Sequence, residues 1–224
     1  MSMNVVEKID DQVKISNILV SVSDKQGLEA FIPALRAVNP EIKIFSTGGT
    51  FTRIREILGS DDDCLVPVSD YTGQPETQGG LVKTLDFKIY LGLLTETYND
   101  AHQGDLTRTG AAAIDMVVVN LYPFKETVAK PDATAENARG NIDIGGPCMI
   151  RASAKNFIRV TSVVDPEDYD LIISDLKESG GSLSLRRRLG LSRKAFAHTA
   201  EYDRMIADYL ASQSYETVSG CYKF

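Results

Sequence analysis

The run MVVVNL at residues 116–121 constrains the fold of this chain more than any other stretch. Its apolar residues are consecutive rather than alternating, so a strand built from them buries both of its faces. Such a strand needs a helical layer above and another below. Further apolar runs occur at 15–22, 42–46, 65–68, 89–94 and 159–164, each short enough to read as a strand. Helical signals stand between them. Leu28, Phe31, Ile32, Leu35 and Val38 recur at helical spacing, with Pro33 predicting a kink or a late start. Residues 51–58 follow with Thr50 as cap, residues 100–109 have helical composition, and Asp165 with Pro166 opens a helix that stops at Gly180 and Gly181. From 183 to 211 the composition is helical again, with a break expected at Gly190. Strands alternating with helices predict an α/β three-layer sandwich around a mainly parallel sheet.

Ligands in such sheets bind beyond the carboxyl ends of the strands. Two loops there have the chemistry of phosphate sites. SVSDK, at 21–25, offers Ser21, Ser23 and Lys25 before a helix, and STGGT, at 46–50, offers Ser46, Thr47, Gly48 and Gly49. Glycines let the backbone approach an anion, and a helix start supplies free N–H groups and a positive dipole end. Neither loop is a Walker sequence or a dinucleotide fingerprint, so a mononucleotide or sugar phosphate fits better. SVSDK alone favours an ordinary capped helix, and two such loops after neighbouring strands weigh against coincidence.

A third segment, NIDIGGPCMIRASAKN at 141–156, places Asp143 before the paired Gly145 and Gly146, with Lys155 downstream. Pro147 and the apolar residues behind it predict a helix opening there. An acid and a cation near one helix start can serve a ligand; a capped helix with a solvated lysine explains the same residues. Lys83 and Thr84 in VKTL read alone as a solvated pair. Tyr122 after the central strand suits a sheet-edge anchor, and His198 a packed or interface position. Arg186, Arg187 and Arg188 read as a solvated helix face.

Bulk properties exclude several functions. A net charge of −7 argues against nucleic acid as a partner. No apolar run is long enough to span a bilayer, and the N-terminus carries early acids, so no membrane association and a cytoplasmic location are expected. Cys64, Cys148 and Cys221 have no disulfide or zinc spacing, and with two histidines a metal site is not expected.

Taken in order, SVSDK, STGGT, SDYTG, VKTL, VVVNLYPF, NIDIGGP, AKN and KAFAHTAEYD resemble the inosine monophosphate (IMP) cyclohydrolase domain of the bifunctional purine biosynthesis protein. The other half of that protein is an aminoimidazole carboxamide ribotide transformylase. The resemblance implies a methylglyoxal-synthase-like fold over residues 14–212, with tails at 1–13 and 213–224, standing without the transformylase half. It implies the last step of purine biosynthesis, closure of 5-formamidoimidazole-4-carboxamide ribotide (FAICAR) to IMP with loss of water. No cofactor is implied, a homodimer is, and a separate enzyme is expected to supply the formyl group. Ser21, Ser23, Lys25, Ser46, Thr47, Gly48, Gly49 and Thr84 match the family's phosphate and ribose positions, and Asn120, Ile144, Gly145 and Gly146 those lining the base. Lys83, Tyr122, Asp143 and Lys155 match its catalytic positions.

In FAICAR the carboxamide nitrogen must attack a formyl carbon of the same molecule, so the expected roles are proton transfer by Asp143 with Tyr122 and Lys155, and oxyanion stabilisation by Lys83. Two departures stand near these positions. Leu81 replaces the family's usual arginine, and Asp86 with Phe87 replaces a histidine and a proline. They motivate the competing expectation of a purine-nucleotide-binding or regulatory module of the same fold without catalysis. Methylglyoxal synthase and the allosteric domain of carbamoyl phosphate synthetase share the fold, but phosphate loops alone do not account for NLYPF, NIDIGG and AKN together.

Overall fold

In the computed structural model, residues 5–74 and 83–224 are described. Five parallel strands form the central sheet: β2 (Asn17–Val22), β3 (Lys43–Ser46), β4 (Leu65–Pro67), β5 (Met116–Asn120) and β6 (Thr161–Val163), in the order β4-β3-β2-β5-β6. The central run is β5, hydrogen-bonded on both sides, with Val20 opposite Val118 and Val117 opposite Ser162.

The two-sided burial expected of it is present. Ile18, Val20 and Val22 of β2 and Met116 and Val118 of β5 pack with α1 (Leu28–Val38), α2 (Gly48–Leu58) and α9 (Tyr169–Glu178). Leu19, Val117 and Val119 point the other way, against α4 (Phe87–Leu94), α8 (Gly145–Lys155) and α10 (Leu185–Ser212). Period-two strands thus feed two separate apolar cores, and the molecule is a three-layer α/β sandwich. Short helices α3 (Val68–Thr72), α5 (Asp100–Thr109), α6 (Phe124–Val128) and α7 (Ala135–Gly140) fill the connections. A small antiparallel pair joins β1 (Gln12–Lys14) to β7 (Ser182–Ser184), and α11 (Tyr215–Ser219) ends the chain where the sequence shows no period.

Several expectations are corrected. The run 89–94 is helical, because Ile89, Gly92 and Leu93 share one buried face and the Asp86 carboxylate caps α4 by accepting from Lys88 N at 2.8 Å. Helix α1 does not start late: it begins at Leu28 and continues through Pro33, whose side is exposed. The N-cap of α2 is Thr47, not Thr50, and α10 runs through Gly190 without a break.

The arginine run is not a solvated face. Arg186 is exposed and Arg187 pairs with Asp175, but Arg188 is 0% exposed. Arg188 donates through Nε to Phe157 O (3.0 Å), through Nη1 to Asp11 O (2.9 Å) and Leu183 O, and through Nη2 to Asp10 O (2.8 Å) and Ile158 O (2.9 Å). All five guanidinium N–H donors are used, and backbone carbonyls alone solvate the charge. One side chain therefore ties α10 to the N-terminal segment, the approach to β6, and β7.

Arg188→Met leaves those carbonyls without donors and should lower unfolding stability by about 3 kcal/mol or more. Arg188→Lys, with three donors, should fall between it and wild type. Urea unfolding measures this, and a loss below about 1 kcal/mol for Arg188→Met would contradict the assignment.

Candidate active site

Strands β2 and β5 end level, with Val22 opposite Asn120, and β3 ends two residues before them, with Ser46 opposite Val20. The loops that follow therefore meet over the carboxyl edge, where a pocket of about 270 Å³ opens. The first two loops are tied side chain to backbone. Thr50 Oγ1 accepts from Val22 N and donates to Val22 O, both at 3.0 Å, and Ser21 Oγ lies 3.0 Å from Thr47 Oγ1. Asn120 clamps the 21–25 loop to β5, accepting from Asp24 N (2.9 Å) and donating to Asp24 O (2.8 Å).

One end of the pocket suits an anion. Helix α2 opens there without a side-chain cap, and Gly48 takes φ +48°, a left-handed value that favours glycine. A Cβ on Gly48 would lie 3.4 Å from Lys83 Nζ, and one on Gly49 would lie 4.0 Å from Lys25 Nζ. Two ammonium groups and a helix N-terminus thus converge, with Ser21, Ser23, Thr47 and Thr84 also lining the space. The other end holds Tyr122, Asp143, Gly145 and Gly146. A Cβ on Gly145 would collide with Thr84 Oγ1, and one on Gly146 would lie 2.6 Å from Asp143 Oδ2. Glycine at 146 is what allows the carboxylate to fold back over the start of α8, where Oδ1 accepts from Gly146 N at 2.8 Å.

Of the residues singled out in the sequence, Ser21, Ser23, Lys25, Thr47, Gly48, Gly49, Lys83, Thr84, Asn120, Tyr122, Asp143, Gly145 and Gly146 line this one pocket. Three do not. The Ser46 side chain is fully buried and donates to Val20 O at 2.8 Å, joining β3 to β2. Ile144 is 56% exposed and outside the lining. Lys155 is the last residue of α8, ten positions and about 15 Å of helix beyond Gly145, and is exposed. The helix that the sequence expects to bring Asp143 and Lys155 together holds them apart within the chain. Leu81 lies outside the described residues, while Asp86 is accounted for as the α4 cap.

Two contributors were not among the expected site residues. Thr50 buttresses the loops, and Tyr202 of α10, 3% exposed, accepts the Asp143 N–H at 2.9 Å. A hydroxyl-bearing aromatic on an apolar helix face was the available signal. A wider groove of about 620 Å³ lies between α9, β7 and α10, and four of its charges are paired, Arg187 with Asp175 and Lys194 with Asp168. Among the described residues no group of acids, histidines and cysteines could hold a metal ion, and no helix is long and apolar enough to cross a membrane.

Burial raises the Asp143 carboxyl above its usual range, opposed by the Gly146 and Tyr122 backbone N–H groups; burial, then the Asp143 charge, raises the Tyr122 phenol. The folded state thus holds the Asp143 proton more tightly than the unfolded chain. Stability is lost as pH rises from about 4, the unfolded value, through the raised folded value. Asp143→Asn keeps an oxygen for Gly146 N–H and removes the buried charge. It should be more stable than wild type at pH 7, with the gain vanishing below about pH 4. Denaturant unfolding across that range measures it, and a less stable variant at pH 7 would contradict the account.

Residues 27–148 match the family model described as MGS-like domain, and residues 153–223 match AICARFT/IMPCHase bienzyme. The bifunctional purine biosynthesis protein PurH of Neisseria meningitidis serogroup C is 45% identical over 92% of this chain and 38% of its own length. PurH of Bacillus subtilis is 44% identical over 88% of this chain and 37% of its own length. The chain thus spans under two-fifths of the curated relatives it matches. The crystal structure of ForH superposes with a TM-score of 0.71 at 31% identity, covering 86% of this chain and 97% of that one. The chain belongs to the MGS-like domain family, in the form that the bifunctional purine biosynthesis proteins carry.

Proposed function

We propose that this chain acts in purine biosynthesis as an IMP cyclohydrolase, closing FAICAR to IMP. One observation carries the reading: a single pocket holds two lysine ammonium groups at a helix N-terminus and, at its other end, a half-buried carboxyl beside a tyrosine. A ribotide has a phosphate at one end and reacting amides at the other, so its polarity matches. Similarity to the PurH proteins and to the AICARFT/IMPCHase bienzyme supports the same reading.

The phosphate sits on the Gly48 and Gly49 amides with Lys25, which fixes the ring so that carboxamide nitrogen and formyl carbon face each other. The Asp143 carboxylate takes a proton from the carboxamide nitrogen as the new C–N bond forms and the formyl C=O π bond opens onto oxygen. That oxygen is protonated to a hydroxyl, with Tyr122 as the donor. The formamide nitrogen then loses its proton to the Tyr122 phenolate, the ring C=N forms between that nitrogen and the former formyl carbon, and the hydroxyl departs as water with the proton held by Asp143. Lys83, whose ammonium lies beside Gly48, supplies positive charge shared between the phosphate and the developing oxyanion. Lys155, at the far end of α8, lies outside the lining of this pocket within the chain. The chain works as a homodimer, for which light scattering should give twice the 24.5 kDa chain mass. A monomer mass would remove that assembly.

Purified protein given FAICAR should form the purine chromophore, followed by ultraviolet absorbance. Asp143→Asn should lower kcat by roughly 100-fold or more with little change in KM. Lys83→Ala should lower kcat and also raise KM, because its charge serves the phosphate. Tight IMP binding by wild type without cyclisation would replace this reading with that of a nucleotide-binding module.

A further inference from the structure

Asp143 is held by an element remote from it in sequence. Its backbone N–H donates to Tyr202 Oη at 2.9 Å, and the same hydroxyl donates to Asn141 O at 3.3 Å. A single phenol thus grips the 141–146 loop at two points, while Gly146 N–H holds the carboxylate at a third. Tyr202 itself has little freedom. It sits in the middle of α10, is 3% exposed, and packs edge-on to Phe124 with ring centroids 6.3 Å apart. Tyr202 does not line the pocket, so its influence passes through the loop.

Asp143 and the pocket loops from Gly48 to Gly146 fall in the segment shared with MGS-like domains, whereas Tyr202 falls in 153–223, the segment matching the AICARFT/IMPCHase bienzyme. Among the described hydrogen bonds, the Tyr202 hydroxyl is where that second segment reaches the acid of the pocket.

We propose that Tyr202 is a positioning residue for the reaction: its hydroxyl sets the placement of the Asp143 loop, and so of the carboxyl that takes the substrate proton. The inference rests on the cyclohydrolase reading for its effect on rate, but the positioning itself is independent of which reaction follows. With the hydroxyl gone, the Asp143 N–H loses its acceptor and Asn141 O a donor. The loop can relax while the phosphate end, built on β2, β3 and α2, is untouched. A displacement near 1 Å at a reacting group is enough to cost on the order of 100-fold in rate.

Tyr202→Phe keeps the ring and removes only the hydroxyl. It should lower kcat for FAICAR roughly 10- to 100-fold with KM within about threefold of wild type. Amide hydrogen exchange should show protection at 141–146 falling about tenfold or more while β5 keeps its protection. Leu191→Ala, which loosens the packing of the same helix away from the Phe124 contact and leaves the hydroxyl, should lower stability with kcat within about threefold of wild type. Unchanged exchange at 141–146, a wild-type kcat, a change in KM alone, an equal kcat loss in Leu191→Ala, or failure of Tyr202→Phe to fold would each overturn the proposal. If wild-type protein does not cyclise FAICAR, the reaction falls, and the exchange measurement alone still decides the positioning.

Discussion

Parallel pairing of β2 with β3 on one side and β5 on the other is the constraint on which the rest depends. Because the register sets Val20 against Ser46 and Val22 against Asn120, three chain segments leave the sheet over one edge and in one direction, β3 two residues before the other two. Any ligand over that edge meets all three. Burial on both faces enforces the register, since a slip by one residue would send Leu19, Val117 and Val119 into the core that now holds Val20 and Val118. The Asn120 clamp on Asp24 and the Thr50 clamp on Val22 then fix the loops to their strands. Residues that might have touched ligand thus include several whose side chains are committed to the scaffold, Ser46 and Thr50 among them.

The pocket is asymmetric in energy as well as in charge. Its anion end is assembled from groups that cost little when empty: exposed helix N–H groups, hydroxyls and lysines on flexible stems. Its acid end stores a cost, because the Asp143 carboxyl is half-buried beside Gly146 and held by the backbone rather than by a cation. A carboxyl with a raised proton affinity is a better base once ionised, which suits removal of a proton from a weakly acidic amide. Glycine at 146 is the geometric condition for that placement, and Arg188, by seating α10, is the distant condition for keeping Tyr202 on the loop.

Much of this was legible in the residues, and the misses have specific causes. The unbroken apolar run of β5 predicts a two-sided core and with it a parallel sandwich. The loops at 21–25 and 46–50 carry phosphate chemistry in their glycines and hydroxyls. The run 89–94 misleads because a short apolar stretch has no period of its own, and the Asp86 cap deciding for helix lies outside it. Arg188 looks solvated because its five acceptors are backbone carbonyls, which leave no trace in side-chain pattern. Lys155 looks close to Asp143 in sequence, but the intervening residues are one straight helix that carries it away. Tyr202 is hidden for the opposite reason, being 59 residues from Asp143 and next to it in space.

The central claim is that one pocket at the carboxyl edge holds a purine ribotide with its phosphate on α2 and its base against Asp143. A crystal structure with bound IMP tests this most directly. The account predicts the phosphate on the Gly48 and Gly49 amides between Lys25 and Lys83, and the six-membered ring of the purine within hydrogen-bonding distance of the Asp143 carboxyl. IMP bound in the groove between α9, β7 and α10, or in this pocket with its base directed away from Asp143, would contradict it.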